Sequence, residues 1–356
     1  CRCPLSTMGL YASLIWYGKQ VILWGAGIIA IVCTVLWYYQ DSLLYYPSMP
    51  GLPKRPQENP EGFRSPADYG IEYEDMYATT SDGITVHGWL MKQQKDPQSK
   101  PTIIFFHGNA GNIGFRLMNA SQMYHKLGCN VLLVDYRGYG NSEGSPTEEG
   151  LKLDAIASLQ FLIDHPVITV EAGLFAFGRS LGGAVAVALA SQFPIQVRAV
   201  IVENTFLSIS NMVDEVMPSF ISLFKPLVLR IKWSNEDLMP QIQQPILFLA
   251  GGQDELVPPS HMKRLYDLAQ KARFKERHVV TFGTHNDTWH KGGAPYYLAM
   301  KKFIQRVCEE KMEKSNISIA EAIPADLCEG DQTPTGNLNV EQSNSIPIMP
   351  NLFGKE

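Results

Sequence analysis

An α/β architecture is predicted: a mostly parallel eight-stranded sheet with helices on both faces, preceded by one transmembrane helix. Three observations lead there. Short apolar runs of strand length alternate with helix-period segments from residue 71 to residue 308, the pattern of a doubly wound sheet. The first two runs, 71–78 and 84–91, flank Ser81-Asp82-Gly83, and Asp-Gly between strand-like runs marks a hairpin, hence an antiparallel edge. A later run ends on Gly178-Arg179-Ser180-Leu181-Gly182-Gly183 and leads into the small residues 184–190, the layout of a sharp strand-to-helix turn that displays a serine.

The chain opens on Cys1, with Met8 a candidate initiator. Residues 21–39 (VILWGAGIIAIVCTVLWYY) are apolar and uncharged, close to the ~20 residues that cross a hydrocarbon core. Trp24 near one end and Trp37, Tyr38 and Tyr39 at the other suit the two membrane interfaces. A cleaved signal peptide has an apolar core of about 7–15 residues and a small-residue cleavage site; this run is longer and ends in bulky aromatics. A retained anchor is therefore expected, behind a cytoplasmic segment 1–20. Arg2 and Lys19 before the span and Asp41 after it favour a type II orientation, although Lys54 and Arg55 blunt the asymmetry. The C-terminal domain is thus expected in the lumen or outside the cell. Residues 40–70, rich in Pro and Gly, read as a linker leading away from the bilayer.

Composition excludes several classes. The 356 residues are 45% hydrophobic, enough for a large core, and the net charge of -5 with no basic stripe gives no footprint for nucleic acid. Six cysteines, Cys1, Cys3, Cys33, Cys129, Cys308 and Cys328, have no metal-ligand spacing. No metal, no organic cofactor and no disulfide framework are expected. Sequons begin at Asn119, Asn286 and Asn316; the third, in a polar stretch, is the one expected to be accessible and to make the chain a glycoprotein if lumenal.

Within 71–308 the remaining strands are expected at 102–106, 131–134, 174–177, 199–202, 246–250 and 279–282. Leu117, Ala120, Tyr124 and Leu127 recur at helical spacing, as do Leu151, Ala155, Leu159 and Leu162, and 296–307 closes with an amphipathic helix. Residues 309–356 carry no apolar period and read as a disordered tail.

Chemistry in an open parallel sheet collects at the carboxyl ends of its strands. The polar residues there are His107 to Asn112, Asp135 to Gly140, Ser180, Glu203 and Asn204, Asp254, and His285. A serine hydroxyl is a poor nucleophile until an imidazole takes its proton, and the imidazole needs a carboxylate to fix its tautomer. Ser180, Asp254 and His285 supply these groups, each directly after a strand. Glu203 competes with Asp254 for the acid role, and its neighbours suggest a pocket wall instead. His107 reads as structural and Arg137 as the partner of a carboxylate. Gly178 and Gly182 remove side chains that would collide at the turn. Oxyanion donors are expected at the backbone N–H groups of Leu181 and Asn109.

Residues 206–240 form a long connection rich in apolar residues, and long insertions in compact domains are commonly functional. As a lid it would bind an acyl group through Phe206, Met212, Phe220 and Phe224. The plainer reading is helical core packing.

The segments FFHGNAGNIG, LLVDYRGYGNSEG, FGRSLGGAVA, VENTFLSI, AGGQDELVPP and GTHNDTW together resemble the membrane-anchored α/β-hydrolase-domain family over about residues 20–307. That resemblance implies an α/β-hydrolase fold, a Ser180–Asp254–His285 triad, a type II membrane protein and kinship with acyl-protein thioesterases and monoacylglycerol lipases. The expected substrate is an acyl ester or acyl-protein thioester beside a lipid bilayer. A serine peptidase on the same fold and a non-catalytic membrane-tethered binding protein are the rival expectations.

Overall fold

The computed structural model describes residues 5–48, 50–218, 222 and 224–321, with side chains described between 11 and 310. Eight strands form one sheet: β1 Tyr73–Thr79, β2 Thr85–Met91, β3 Thr102–Phe106, β4 Asn130–Val134, β5 Leu174–Arg179, β6 Val197–Glu203, β7 Ile246–Gly251 and β8 Lys275–Val280. They lie in the order β1-β2-β4-β3-β5-β6-β7-β8. The β1–β2 hairpin is antiparallel, with Thr79 opposite Thr85, and β2 runs antiparallel to β4. Every later pairing is parallel. Gly83 takes φ +84 in the hairpin turn, a conformation open to glycine because it has no Cβ.

Nine helices accompany the sheet among the described residues: α1 Leu5–Leu44, α2 Leu117–Leu127, α3 Glu148–Ile163, α4 Leu181–Gln192, α5 Ile209–Val216, α6 Lys225–Val228, α7 Asn235–Leu238, α8 Pro259–Leu268 and α9 Thr288–Glu321. Strand alternation divides the core in two. Ile104, Phe106, Ala176 and Val200 pack with residues of α3, α4 and α8, whereas Ile103, Phe105, Phe177 and Ile201 pack with α2 and α9. Successive strand side chains point to opposite faces, so a sheet covered on both sides needs apolar residues at every position. Each such side chain, fully buried, contributes about 1.5–3 kcal/mol.

Four expectations shift. The eighth strand is Lys275–Val280 rather than 279–282, and its residues Lys275 to Val279 are not buried. It is an edge strand with one neighbour, where charged residues protect the free edge, so only its last two residues, Val279 and Val280, belong to the apolar run that the sequence offers. The N-terminal helix extends beyond 21–39 in both directions; its apolar stretch long enough to cross a membrane is Tyr11–Leu44, and none of the window is buried. The segment 40–70 is not a spacer, because its first residues finish α1 and Tyr45, Pro56, Asn59, Pro66 are buried against the body. Finally, α9 continues to Glu321 with a break at Gly293 (φ 50), so 309–321, expected as tail, is helical; the remainder of that tail, 322–356, lies outside the described residues.

Candidate active site

Strand β5 ends at Arg179, and α4 begins at Leu181. Ser180 between them has φ 54 and ψ -119, a sparsely populated region for a residue with a side chain. A Cβ on Gly178 would run into the backbone of Gly182 and Gly183, and one on Gly182 into the carbonyls of Phe106 and His107. The small residues around the serine are thus demanded by helix-on-strand packing. Ser180 is half-buried while its neighbours on both sides are buried, so its hydroxyl is the part of the elbow open to the site.

The loops after β7 and β8 bring the other two residues to it. His285 Nε2 lies 3.0 Å from Ser180 Oγ, and its Nδ1 lies 3.0 and 2.9 Å from the two carboxylate oxygens of Asp254. Both His285 and Asp254 are buried. An ionised carboxylate only accepts hydrogen bonds, so Nδ1–H donates to it and Nε2 is left to accept from the serine. Asp254 is itself fixed: its Oδ1 accepts from the backbone N–H groups of Leu256 (3.0 Å) and Val257 (2.8 Å). The backbone N–H of His285 donates to Glu255 Oε2 at 3.1 Å.

The loop after β3 passes over the elbow, since a Cβ on Gly108 would lie 3.7 Å from that of Ser180. Asn109, next in this loop, accepts from Tyr139 Oη at 2.7 Å through its carbonyl and donates from its side-chain amide to the carbonyl of Leu44. Leu181 is the first residue of α4, where backbone N–H groups have no intrahelical partner. These are the two positions expected to hold an oxyanion.

His107 is buried with its Nδ1 2.6 Å from the Gly108 carbonyl oxygen. Burial, followed by the positive charge of Arg116, pushes its pKa down to about 3, so it is neutral and structural, as expected. Arg137 reaches Asp154 at 2.9 Å and Asp82 at 2.6 Å, a carboxylate pairing. Glu203 is not a pocket wall: it lies fully buried, accepting from Arg179 Nε and Nη2 at 3.0 Å each and from Tyr296 Oη at 3.0 Å.

Asn204 carries a role that sequence reasoning missed. Its Nδ2 donates to the carbonyls of Thr284 (3.2 Å) and His285 (3.1 Å) and to Thr288 Oγ1 (3.0 Å), while its Oδ1 accepts from Gly251 N–H at 2.8 Å. It has φ 48, a left-handed conformation that asparagine tolerates better than most residues. An Asn directly after a strand next to the serine strand was the available signal.

The expected lid contains α5, α6 and α7. Phe206 is 4% exposed and belongs to the same buried cluster as Leu181, with Met212 packed against that cluster. Phe206 is therefore a core residue rather than part of an open wall. Phe224 is half-buried, and Phe220 lies outside the described residues. Val216, Met217 and Leu227 are exposed. A surface cavity lined by Ala78, Thr79, Ala157, Phe161 and His165 lies between β1 and α3, near the opposite edge of the sheet, and contains none of the catalytic candidates.

Among the sequons, Asn119 is buried and accepts from Tyr297 Oη at 2.9 Å. Asn286, contrary to expectation, is exposed, directly beside His285. The side chain of Asn316 lies outside those described.

A family model described as serine aminopeptidase, S33, matches residues 97–239. The chain is similar to the alpha/beta hydrolase domain-containing protein WAV2 of Arabidopsis thaliana, 39% identical over 86% of this chain and 99% of the relative. An uncharacterised membrane protein of Saccharomyces cerevisiae is 35% identical over 82% of this chain and 98% of its own length. Among solved structures, the esterase Pf2001 of Pyrococcus furiosus superposes with a TM-score of 0.56 at 21% identity, covering 68% of this chain and 93% of that one. At that identity the likeness shows the shared fold, the α/β-hydrolase fold.

Proposed function

The chain belongs to the α/β-hydrolase-domain family, and from that premise we propose that it is a membrane-anchored serine hydrolase of carboxylic esters or thioesters with an apolar acyl group. The observation that carries this reading is the unbroken chain of contacts from Ser180 through His285 to Asp254 at the elbow. Substrates of this class are lipid esters and acyl-protein thioesters, palmitoyl proteins among them. The apolar insertion 206–240 and the long apolar helix near the N-terminus support the choice.

In the proposed reaction His285 Nε2 takes the Ser180 proton as Oγ attacks the acyl carbonyl. The N–H groups of Leu181 and Asn109 hold the resulting oxyanion, and Asp254 stabilises the imidazolium. Collapse breaks the bond to the alcohol or thiol, which leaves with the proton from His285. Water, deprotonated by His285, then attacks the acyl-enzyme, and the carboxylic acid departs as Ser180 regains its proton. No metal or organic cofactor enters this sequence.

The family model's description favours a second reading, a serine peptidase. The chemistry at Ser180 would be the same with an amine as leaving group.

For orientation we propose a type II protein with the catalytic domain lumenal or extracellular, in which case exposed Asn286 is a candidate glycan site. Labelling of the detergent-solubilised protein with a fluorophosphonate probe tests the hydrolase reading. Wild type is expected to label, and Ser180→Ala and His285→Ala to lose labelling while remaining folded. A folded wild type that does not label would overturn it and leave a membrane-tethered binding protein. Parallel assays on ester, thioester and aminoacyl amide substrates separate the esterase from the peptidase.

A further inference from the structure

The last turn of α1 is bonded to both halves of the candidate site. Gln40 is 7% exposed on a helix whose preceding residues Trp37, Tyr38 and Tyr39 are exposed. Its amide is fully used: Nε2 donates to the carbonyls of Trp37 (2.9 Å) and Val228 (3.1 Å), and Oε1 accepts from the N–H groups of Arg230 (2.9 Å) and Ile231 (3.0 Å). A side-chain amide offers two donors and two lone pairs, and three of these four bonds reach the 206–240 insertion. Asp41 pairs with Arg230 there, and Trp233 Nε1 donates to Tyr45 Oη at 2.8 Å in a buried contact.

The same turn reaches the oxyanion loop. The Leu44 carbonyl accepts from the Asn109 side chain, Tyr46 forms a β-bridge with Ala110, and Gly111 N–H donates to the Tyr46 carbonyl at 3.3 Å. The depth of this contact follows from helix geometry. Tyr39, the end of the uncharged run, and Leu44 are five residues apart, about 7.5 Å along a helix axis. The headgroup layer on each side of a bilayer is roughly 5–7 Å deep. Leu44 and the loop it holds therefore lie at the outer boundary of the headgroup layer when 21–39 spans the hydrocarbon. Leu43 on this turn, Tyr46 just after it, and Leu227 on α6 packed beside it are exposed apolar side chains.

We infer that the last turn of α1 is a positioning element of the candidate active site, which holds the oxyanion loop and the segment 225–233 at the membrane surface so that an acyl chain still embedded in the bilayer enters between α1 and α6. Gln40 and Tyr45 are the positioning residues. The inference rests on the hydrolase reading and adds to it the state of the substrate: a bilayer-resident acyl group, carried by a lipid or by a protein thioester.

The test uses the full chain reconstituted in phosphatidylcholine vesicles, with kcat and KM measured for three substrates. These are water-soluble p-nitrophenyl acetate, a vesicle-embedded monoacylglycerol and a vesicle-embedded S-palmitoyl peptide. In Gln40→Ala, the ratio of kcat/KM for the embedded substrate to that for the soluble ester is expected to fall at least tenfold. Gln40→Glu should recover part of it, because a carboxylate still accepts from Arg230 and Ile231 N–H. Tyr45→Phe, which removes one hydroxyl and keeps the ring, should lower the same ratio and guards against a Gln40→Ala chain that does not fold. Whichever embedded substrate shows the fall identifies the source of the acyl chain. A folded Gln40→Ala with an unchanged ratio, or one that loses all three activities equally, would overturn the inference. Loss of fluorophosphonate labelling in the wild type would count against the hydrolase reading alone. Amide hydrogen exchange of residues 108–111 then still decides the coupling: faster exchange in Tyr45→Phe supports it, and unchanged exchange refutes it.

Discussion

Asn204, at the end of β6, donates its side-chain amide to the backbone carbonyl of His285 at 3.1 Å while accepting from Gly251 N–H at 2.8 Å. One side chain thereby spans the loops that carry Asp254 and His285 and ties down the backbone of His285. Asn204→Ala leaves the Gly251 N–H and two carbonyls buried without this partner, at a cost of about 1–3 kcal/mol for an orphaned group. The expected outcome is a lower denaturation midpoint together with a fall in fluorophosphonate labelling rate of about tenfold or more, since an ångström of misplacement can cost about 100-fold. Asn204→Asp, which keeps the acceptor for Gly251, should lie between wild type and Ala.

Asp254 and Glu203 make opposite predictions when each is turned into its amide. On the proposed mechanism Asp254→Asn replaces the carboxylate that orients His285, and turnover of an ester is expected to fall by about four orders of magnitude. Glu203→Gln should keep most activity, because Glu203 faces Arg179 and Tyr296 and makes no bond to His285. The larger effect at position 203 is on folding through its partner. Arg179→Ala strands a fully buried carboxylate, which costs about 3–5 kcal/mol, readable by urea denaturation. Equal loss of turnover in Glu203→Gln and Asp254→Asn would contradict this division of labour.

Gly178→Ala and Gly182→Ala each place a methyl group into backbone carbonyl groups, which have no rotamer to escape into. A destabilisation of about 3 kcal/mol is expected, the upper part of the overpacking range. Far-UV circular dichroism during thermal melting measures it. A Gly182→Ala chain with wild-type stability and labelling would show that the elbow relaxes more readily than its packing implies.

His107 supplies the pH dependence. Its folded pKa is lowered to about 3, chiefly by burial, whereas an unfolded histidine titrates near 6.5. Below that value the unfolded chain takes up a proton that the folded chain refuses. Stability is therefore full above about pH 6.5 and declines as pH falls towards 3, by about 1.4 kcal/mol per pH unit for this one group. His107→Gln should flatten the slope of stability against pH between 6 and 4 by about one proton. Urea midpoints across that range provide the comparison, and an unaltered slope would mean that His107 accepts its proton in the folded state.

Much of this site is legible in residue order because close packing leaves few residue types to choose from. Strands covered on both faces must be continuous apolar runs, so 102–106 and 246–250 announce themselves, and an elbow squeezed between strand and helix must be Gly-x-Ser-x-Gly. The alternation of runs and helical periods then orders Ser180, Asp254 and His285 along one sheet edge. Other features depend on partners far away in the chain. The polar edge strand Lys275–Val280 is a strand because β7 offers it hydrogen bonds, and only Val279 and Val280 at its end mark it in the sequence. Asn204 looks like any loop residue until three loops meet around it. Phe206 has the composition of a lid but the burial of a core, and Gln40 reads as the polar end of an anchor until Val228, Arg230 and Ile231 close on it. Local sequence carries periodicity, volume and backbone strain; which polar groups satisfy one another across nearly two hundred residues is settled when the folded chain excludes water from both.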